Sequence, residues 1–292
     1  MNILITGANG QLGNEMRVLS AQHTQHTYFF TDIAELDITS REAVNQFVAD
    51  NEIDIIVNCA AYTNVDKAEI DEDIAHKINA LAVENLGLSG ARVIHISTDY
   101  VFSGEACVPY SETDPVAPRT AYGRTKREGE KLLQAVSDES IIFRTAWLYS
   151  TFGNNFVKTM LRLGQERESL GVVFDQIGSP TYAADLAEAV FSAINAPVWH
   201  AGVYHYTNEG VCSWFDFTHE IFERAKYLLN NEAADKIASC QLRSILSSEY
   251  QYQTPRPHYS VLNKAKIKRT FGIAIPHWTD ALQVCLEKLL KE

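Results

Sequence analysis

Positive charge is scarce in this chain. Across 292 residues, 25 lysines and arginines face 37 aspartates and glutamates, for a formal charge of −12. A nucleic acid or an anionic membrane surface needs a basic face to dock on, so neither is an expected partner. Cysteine is equally thin. The five thiols, Cys59, Cys107, Cys212, Cys240 and Cys285, are odd in number and far apart. Such spacing gives neither a disulfide framework nor a zinc site, and the thiols read as structural ones in a reducing cytoplasm. No stretch approaches the roughly twenty apolar residues that cross a bilayer. The opening "MNILITGANG" has neither the basic start nor the apolar length of a secretion signal. The nine histidines form no HExxH or comparable set, so no catalytic metal is expected. What remains is an ordinary globular composition, 46% hydrophobic and 21% charged. The length suits one large α/β domain or a domain with a smaller lobe.

The first thing present is a patterned glycine turn. "NILITGANGQLGNEMRVL" is a β-rich run, then Gly7, Gly10 and Gly13, then a helical pattern. Gly7 suits a tight turn, Gly10 lets backbone approach a pyrophosphate, and Gly13 lets the helix pack close to the strand. The helix start would then offer free N–H groups and partial positive charge to phosphates. Strand and helix patterns alternate onward. "TYFFTD", "IDIIVNCAA", "ARVIHISTDYVF" and "SIIFRTAW" read as strands, with "SREAVNQFVADN", "DEDIAHKINALAVENLGLSG" and "YGRTKREGEKLLQAV" as helices between them. This alternation predicts a Rossmann-type, doubly wound parallel α/β sheet over residues 1–147, with ligands at the carboxyl ends of its strands. Asp32 closes the second strand, nineteen residues after Gly13. An acid there accepts from a ribose 2′-hydroxyl and repels a 2′-phosphate, which leans towards NADH over NADPH; the other reading is a turn aspartate. Asp37 and Ile38 are placed to meet the adenine. Small Ala60 and Ala61 after the third strand leave room for the dinucleotide against backbone.

Tyr122 and Lys126 stand one helical turn apart in "AYGRTKREGE", so both rise from one face. Alone, such a pair is common on solvated helices. Downstream of a dinucleotide turn, and with Thr98 ending the preceding strand, it has a chemical reading. Hydride delivery to a ketone builds negative charge on its oxygen, which must be hydrogen-bonded and then protonated. An ammonium beside Tyr122 would favour the phenolate and lower the phenol's pKa towards neutrality. Lys126 could also hold the nicotinamide ribose, and Thr98 would steady the carbonyl.

Longer stretches carry a more specific likeness. "GANGQLG", "VNCAAYTNVDKAE", "STDYVFSG", "AYGRTKREGE", "FRTAWLY", "GNNFVKTMLRL", "DQIGSPT" and "TPRPHYSVLN" run from the first strand to about residue 263. In them the chain resembles the dTDP-4-dehydrorhamnose reductase family of extended short-chain dehydrogenases/reductases. The resemblance implies reduction of dTDP-4-dehydro-β-L-rhamnose to dTDP-β-L-rhamnose by NADPH or NADH, in the cytoplasm, by a monomer or homodimer. It implies that Gly10, Gln11 and Leu12 touch the cofactor phosphates, that Asp37 and Ile38 flank the adenine, and that Ala61, Tyr62 and Thr63 line the middle. Tyr122 and Lys126 complete that site. Thr98 and Asp99 would contact the deoxyhexose, with Val65, Tyr100, Phe102 and Trp147 shaping its pocket, although a tryptophan ending a strand also fills cores. Residues 148–292 would form mostly a substrate-binding lobe, with a segment near 171–200 returning to the main sheet. Arg256, between two prolines, is placed to pair with the diphosphate or to serve as a surface anchor, and Asn154 and Asn155 point to the same ligand. The family often has an asparagine where this chain has Tyr259. Two other readings share the motifs. A sister epimerase or dehydratase would keep the Tyr/Lys pair, although Thr98 is followed by Asp99 and Tyr100 with no glutamate. A regulatory subunit like that of methionine adenosyltransferase would bind without reacting, but has no use for a tuned phenol.

Overall fold

Apolar runs bounded by turn residues become short, fully covered strands, and amphipathic stretches between them become the helices that cover them. The computed structural model describes residues 1–229, 231–251 and 254–291. Its first half runs β1 (Asn2–Thr6), α1 (Gln11–Ser20), β2 (Thr27–Thr31), α2 (Arg41–Asp50), β3 (Ile55–Asn58), α3 (Val65–Ala68) and α4 (Glu72–His76). A π-helical turn over Lys77–Leu81 leads into α5 (Ala82–Gly87), β4 (Arg92–Thr98), α6 (Ala121–Val136) and β5 (Ile141–Thr145). Then come β6 (Leu148–Tyr149), α7 (Phe156–Glu166), β7 (Ser169–Val173), β8 (Ile177–Gly178), β9 (Thr181–Tyr182), α8 (Ala183–Ile194) and β10 (Gly202–His205). The chain closes through β11 (Cys212–Ser213), α9 (Trp214–Leu229), α10 (Glu232–Ser239), β12 (Gln241–Ile245), α11 (Ala265–Phe271) and α12 (Trp278–Lys291).

Six strands form one parallel sheet in the order β10-β5-β4-β3-β1-β2. All four residues of β3 and all five of β5 are buried, as expected where helices cover both faces. Met16 of α1 with Leu186, Val190 and Phe191 of α8 pack on one face. Val44, Val83, Leu86 and Leu133 from α2, α5 and α6 pack on the other. Because β1 sits between β2 and β3, successive crossovers leave in opposite directions there, and a crevice opens at the strand ends.

A second core lies apart from this sheet. Phe217 and Ile221 of α9 pack with Val157 of α7 and with Leu282 and Leu286 of α12. The segment that rejoins the main sheet is α8 with β10, not the stretch from residue 171. Residues 169–173 instead pair in parallel with Gln241–Ile245. Nothing local in "SLGVV" distinguishes a strand of one sheet from a strand of the other.

The stretch read as one helix from Asp71 is interrupted by the π-helical turn. The wider turn brings Asn79 round to Tyr62, whose N–H donates to the Asn79 amide oxygen at 2.8 Å and whose carbonyl accepts from its nitrogen at 3.1 Å. Thr125 of α6 takes the second amide hydrogen at 3.2 Å. A side chain at Gly129 would strike the Asn79 carbonyl at 2.0 Å, so the bulge and α6 fit only through that glycine.

Candidate active site

The turn after β1 is built for close approach. Gly7 has φ +63, and a Cβ there would lie 2.6 Å from the Ala60 nitrogen. A Cβ on Gly13 would meet the Ala8 Cα at 2.5 Å, so α1 sits hard against its own entry turn. Most long helices here have side-chain caps, such as Thr120 Oγ1 accepting from Gly123 N in α6. α1 has Gly10 at that place and no side-chain cap. Its first N–H groups are thus left for an outside acceptor, which suits a pyrophosphate. The residues present fit a dinucleotide.

From this turn a cleft of about 720 Å³ runs along the strand ends. Gly7, Gly10, Gln11 and Leu12 form one wall, and Asp32, Asp37 and Ile38 the rim after β2. Ala61, Thr63 and Val65 line its middle, and Thr98, Asp99, Tyr100, Tyr122, Lys126 and Trp147 its far end. Asp32 is oriented by the N–H groups of Asn9 at 3.1 Å and Ile33 at 2.9 Å. The Thr39 hydroxyl and N–H, at 2.7 and 2.9 Å, hold the Asp37 carboxyl below its usual pKa.

At the far end, Thr98 donates to Asp99 Oδ1 at 2.9 Å and accepts from Tyr100 N at 3.2 Å, and both it and the Tyr122 phenol line the cleft. Tyr100 sets its ring edge against Tyr122, with centroids 5.4 Å apart. The expected ammonium–phenol coupling is not what the structure shows. Protein packs so densely round the Tyr122 hydroxyl that burial pushes its pKa up to about 12, the Thr98 hydroxyl opposing and the Asp99 charge adding. Lys126, only 1% exposed, turns its amine back across β4. There it donates to the Ile96 carbonyl and meets His95 Nε2 at 3.2 Å. Burial pulls Lys126 down to about 8, with the nearby Glu130 charge opposing. Burial also pushes Asp99 up to about 7, despite the hydrogen bond it accepts from Thr98.

A second cavity of about 630 Å³ shares Asp99, Tyr100 and Trp147 with the first. Trp147 stacks on Trp214, with centroids 3.5 Å apart and planes within 10°, and Phe156 leans on Trp214 at 4.5 Å. The Trp147 backbone is left-handed, φ +50. Two elongated spaces meeting at Thr98, Tyr122 and Asp99 make room for a reductant on one side and a polar, ring-bearing substrate on the other.

Four expected residues sit elsewhere, and a fifth is already paired. Gly13 acts through packing, as described. Tyr62 turns from the cleft, its hydroxyl 3.3 Å from Asp71 Oδ2. Phe102 is 2% exposed, stacks on Tyr110 at 4.2 Å and lines a side cavity of about 70 Å³. Asn155 caps α7 with its oxygen, while its nitrogen donates to Gln11 Oε1 at 3.0 Å and to the Ser150 carbonyl at 2.7 Å. It joins α7 to the glycine turn, and Asn154 lines the cleft in its place. Arg256 lines the second cavity but donates to Asp66 Oδ2 at 2.8 Å. Sequence reasoning missed Trp214, which carries no motif. It also missed Asn58 and His95, although polar residues inside continuous apolar runs were a usable signal.

Comparison with known proteins gives a consistent picture. The family model described as RmlD substrate binding domain matches residues 1–291. The spore coat polysaccharide biosynthesis protein SpsK of Bacillus subtilis (strain 168) is 41% identical over 292 residues, covering 98% of this chain and 97% of that protein. The dTDP-4-dehydrorhamnose reductase of Escherichia coli (strain K12) is 40% identical over 302 residues, covering 100% of this chain and 98% of that one. A solved structure of dTDP-4-dehydrorhamnose reductase from Bacillus anthracis str. Ames, in complex with NADP, superposes with a TM-score of 0.90 at 37% identity. It covers 98% of this chain and 99% of its own.

Proposed function

The chain belongs to the RmlD substrate binding domain family, and on that premise we propose that it reduces dTDP-4-dehydro-β-L-rhamnose to dTDP-β-L-rhamnose at C4, in dTDP-L-rhamnose synthesis. The observation that carries this reading is that Thr98, Tyr122 and Lys126 line the far end of the glycine-turn cleft, where it meets the second cavity at Asp99, Tyr100 and Trp147. NADPH or NADH, held along the glycine turn, would supply the hydride.

The residues divide the remaining work. Thr98 orients the ketone. Tyr122 donates the proton, and a phenol pushed up by burial is fully protonated at neutral pH, which is the form a reduction needs. The alkoxide that develops is a stronger base than a phenolate, so transfer runs downhill. Lys126 supplies positive charge as the phenol loses its proton. Gly7, Gly10, Gln11 and Leu12 take the phosphates, Asp32, Asp37 and Ile38 the adenosine, and Ala61 and Thr63 the span between. Val65, Asp99, Tyr100 and Trp147 enclose the sugar, and Arg256 exchanges Asp66 for the diphosphate. Residues 1–147 with the returning α8–β10 segment form the cofactor half, and most of 148–292 the substrate half. We place the enzyme in the cytoplasm as a monomer or homodimer. No helix of the described residues is long and apolar enough to cross a membrane.

The test is turnover with dTDP-4-dehydro-L-rhamnose and each reduced nicotinamide in turn. One NADH or NADPH should be oxidised per dTDP-rhamnose formed. An isomerised sugar with no net oxidation would instead mark an epimerase, and binding of both ligands without reaction would mark a regulatory role.

A further inference from the structure

A line of buried polar side chains runs beneath Lys126 across three strands. Thr6 ends β1, Asn58 ends β3 and His95 lies mid-β4, each at most 1% exposed. The Asn58 amide oxygen accepts from Thr6 Oγ1 at 2.7 Å and from the Ala60 N–H at 3.1 Å. A backbone N–H can only donate, so it fixes which way round that amide lies. Asn58 Nδ2 therefore faces His95 Nδ1, at 3.0 Å, and it too can only donate. His95 Nδ1 must accept, which leaves the neutral ring's proton on Nε2.

That Nε2–H faces Lys126 Nζ at 3.2 Å. An ammonium has three donors and no lone pair, so a charged Lys126 would set donor against donor in a buried contact. An amine resolves the conflict: its lone pair accepts from His95, and one of its hydrogens goes to the Ile96 carbonyl. We propose that His95 is a positioning residue that, through an Nε2–H···Nζ hydrogen bond fixed by Asn58, stabilises the amine form of Lys126 and so lowers the proton affinity of that lysine in the free protein. This rests on the reading of Lys126 as partner of the catalytic phenol, and adds that His95 sets the pH at which Lys126 gains its charge by exchange with solvent.

The surroundings agree. Burial pulls Lys126 down, and it also pulls His95 well below its ordinary value, keeping the ring neutral. Cys59 is pushed up to about 12 by burial and Tyr122 to about 12, so neither faces Lys126 as an anion. Glu130, one turn along α6, is taken up by Arg144 and Arg127.

The experiment is a pH titration of protein carrying lysine labelled with carbon-13 at Cε, read by NMR, with Lys126→Met assigning the resonance. Lys126 should titrate near 8, far from the ordinary 10.5. His95→Asn keeps an oxygen for Asn58 but no donor that reaches Lys126, and should move the midpoint up by about one unit, roughly a tenfold change in proton affinity. His95→Gln places an amide N–H near the old Nε2 and should leave it close to wild type. A wild-type midpoint among the ordinary lysines overturns the proposal, whether or not the variants fold. So does a midpoint unmoved by His95→Asn. Since NMR reads the proton and not turnover, a shifted Lys126 in an inactive protein would count against the reductase reading alone. An active protein with an ordinary Lys126 would count against this one alone.

Discussion

One turn of α6 separates two buried ionisable groups treated in opposite ways. Glu130 is fully buried and fully partnered: Ser97 Oγ, Arg144 Nε and Nη2 and Arg127 Nη1 all donate to it, at 2.6 to 2.8 Å. Lys126 is as deeply buried, yet its partners are a carbonyl and a neutral ring. Burial would push Glu130 up, but Arg144's hydrogen bonds and charge, with Ser97 and Arg127, more than reverse it and hold it below its ordinary 4.5. Nothing reverses burial at Lys126. One group is built to keep its charge at any working pH, the other to change it. The first therefore belongs to the scaffold and the second to the chemistry.

The largest expected effect comes from removing what the variable charge serves. Tyr122→Phe should lower turnover by roughly 10² to 10⁴, the usual worth of a general acid, with NADH binding retained by fluorescence titration. Near-normal turnover would end the assignment of roles at this site. Next is the fixed charge. Arg144→Met leaves Glu130 buried without its bidentate partner and should cost about 3–5 kcal/mol in urea unfolding at neutral pH. A carboxyl held below its ordinary pKa stabilises the fold above the unfolded-state value, and that contribution is lost as pH falls through the folded-state value. The variant's deficit should accordingly shrink in acid, where Glu130 can be protonated.

Lys126→Met sharpens the comparison with the opposite sign. A lysine lowered from 10.5 to about 8 binds fewer protons folded than unfolded between those values, so stability rises with pH across that window. The variant should be more stable than wild type below pH 8, by at most about 3 kcal/mol for such a shift. The advantage should vanish by about pH 10.5. The smallest effect is expected at the half-exposed Asp66–Arg256 pair. Asp66→Asn should change unfolding free energy by about 0–1 kcal/mol, so any sizeable change in the Michaelis constant for the sugar nucleotide would report Arg256 freed from Asp66.

What was legible in the sequence was local. Gly7 to Gly13 and the Tyr122–Lys126 spacing are decided within one turn, and the structure places them round one cleft. What was not legible depended on distant partners. Asn155 looked free until Gln11, far back in the chain, took its amide; Arg256 met Asp66, and Phe102 met Tyr110. The pKa of Tyr122 failed for the same reason. Helical spacing put Lys126 on the right face, but a long flexible side chain goes where its hydrogen bonds are, and those lie on β4. His95 was readable as a polar interruption of "VIHIST", though its role needed Asn58 from another strand.

Trp147 holds its indole against Trp214 while its own backbone sits at φ +50, a region that disfavours a bulky residue by about 1–3 kcal/mol. The two demands at this position pull against each other. Glycine would relax the main chain and leave the neighbouring indole without a stacking partner; any other aliphatic residue would keep the torsional penalty and lose the ring as well. The protein therefore carries a small elastic load at the seam between its two cavities, and only a flat aromatic side chain gives a return on bearing it.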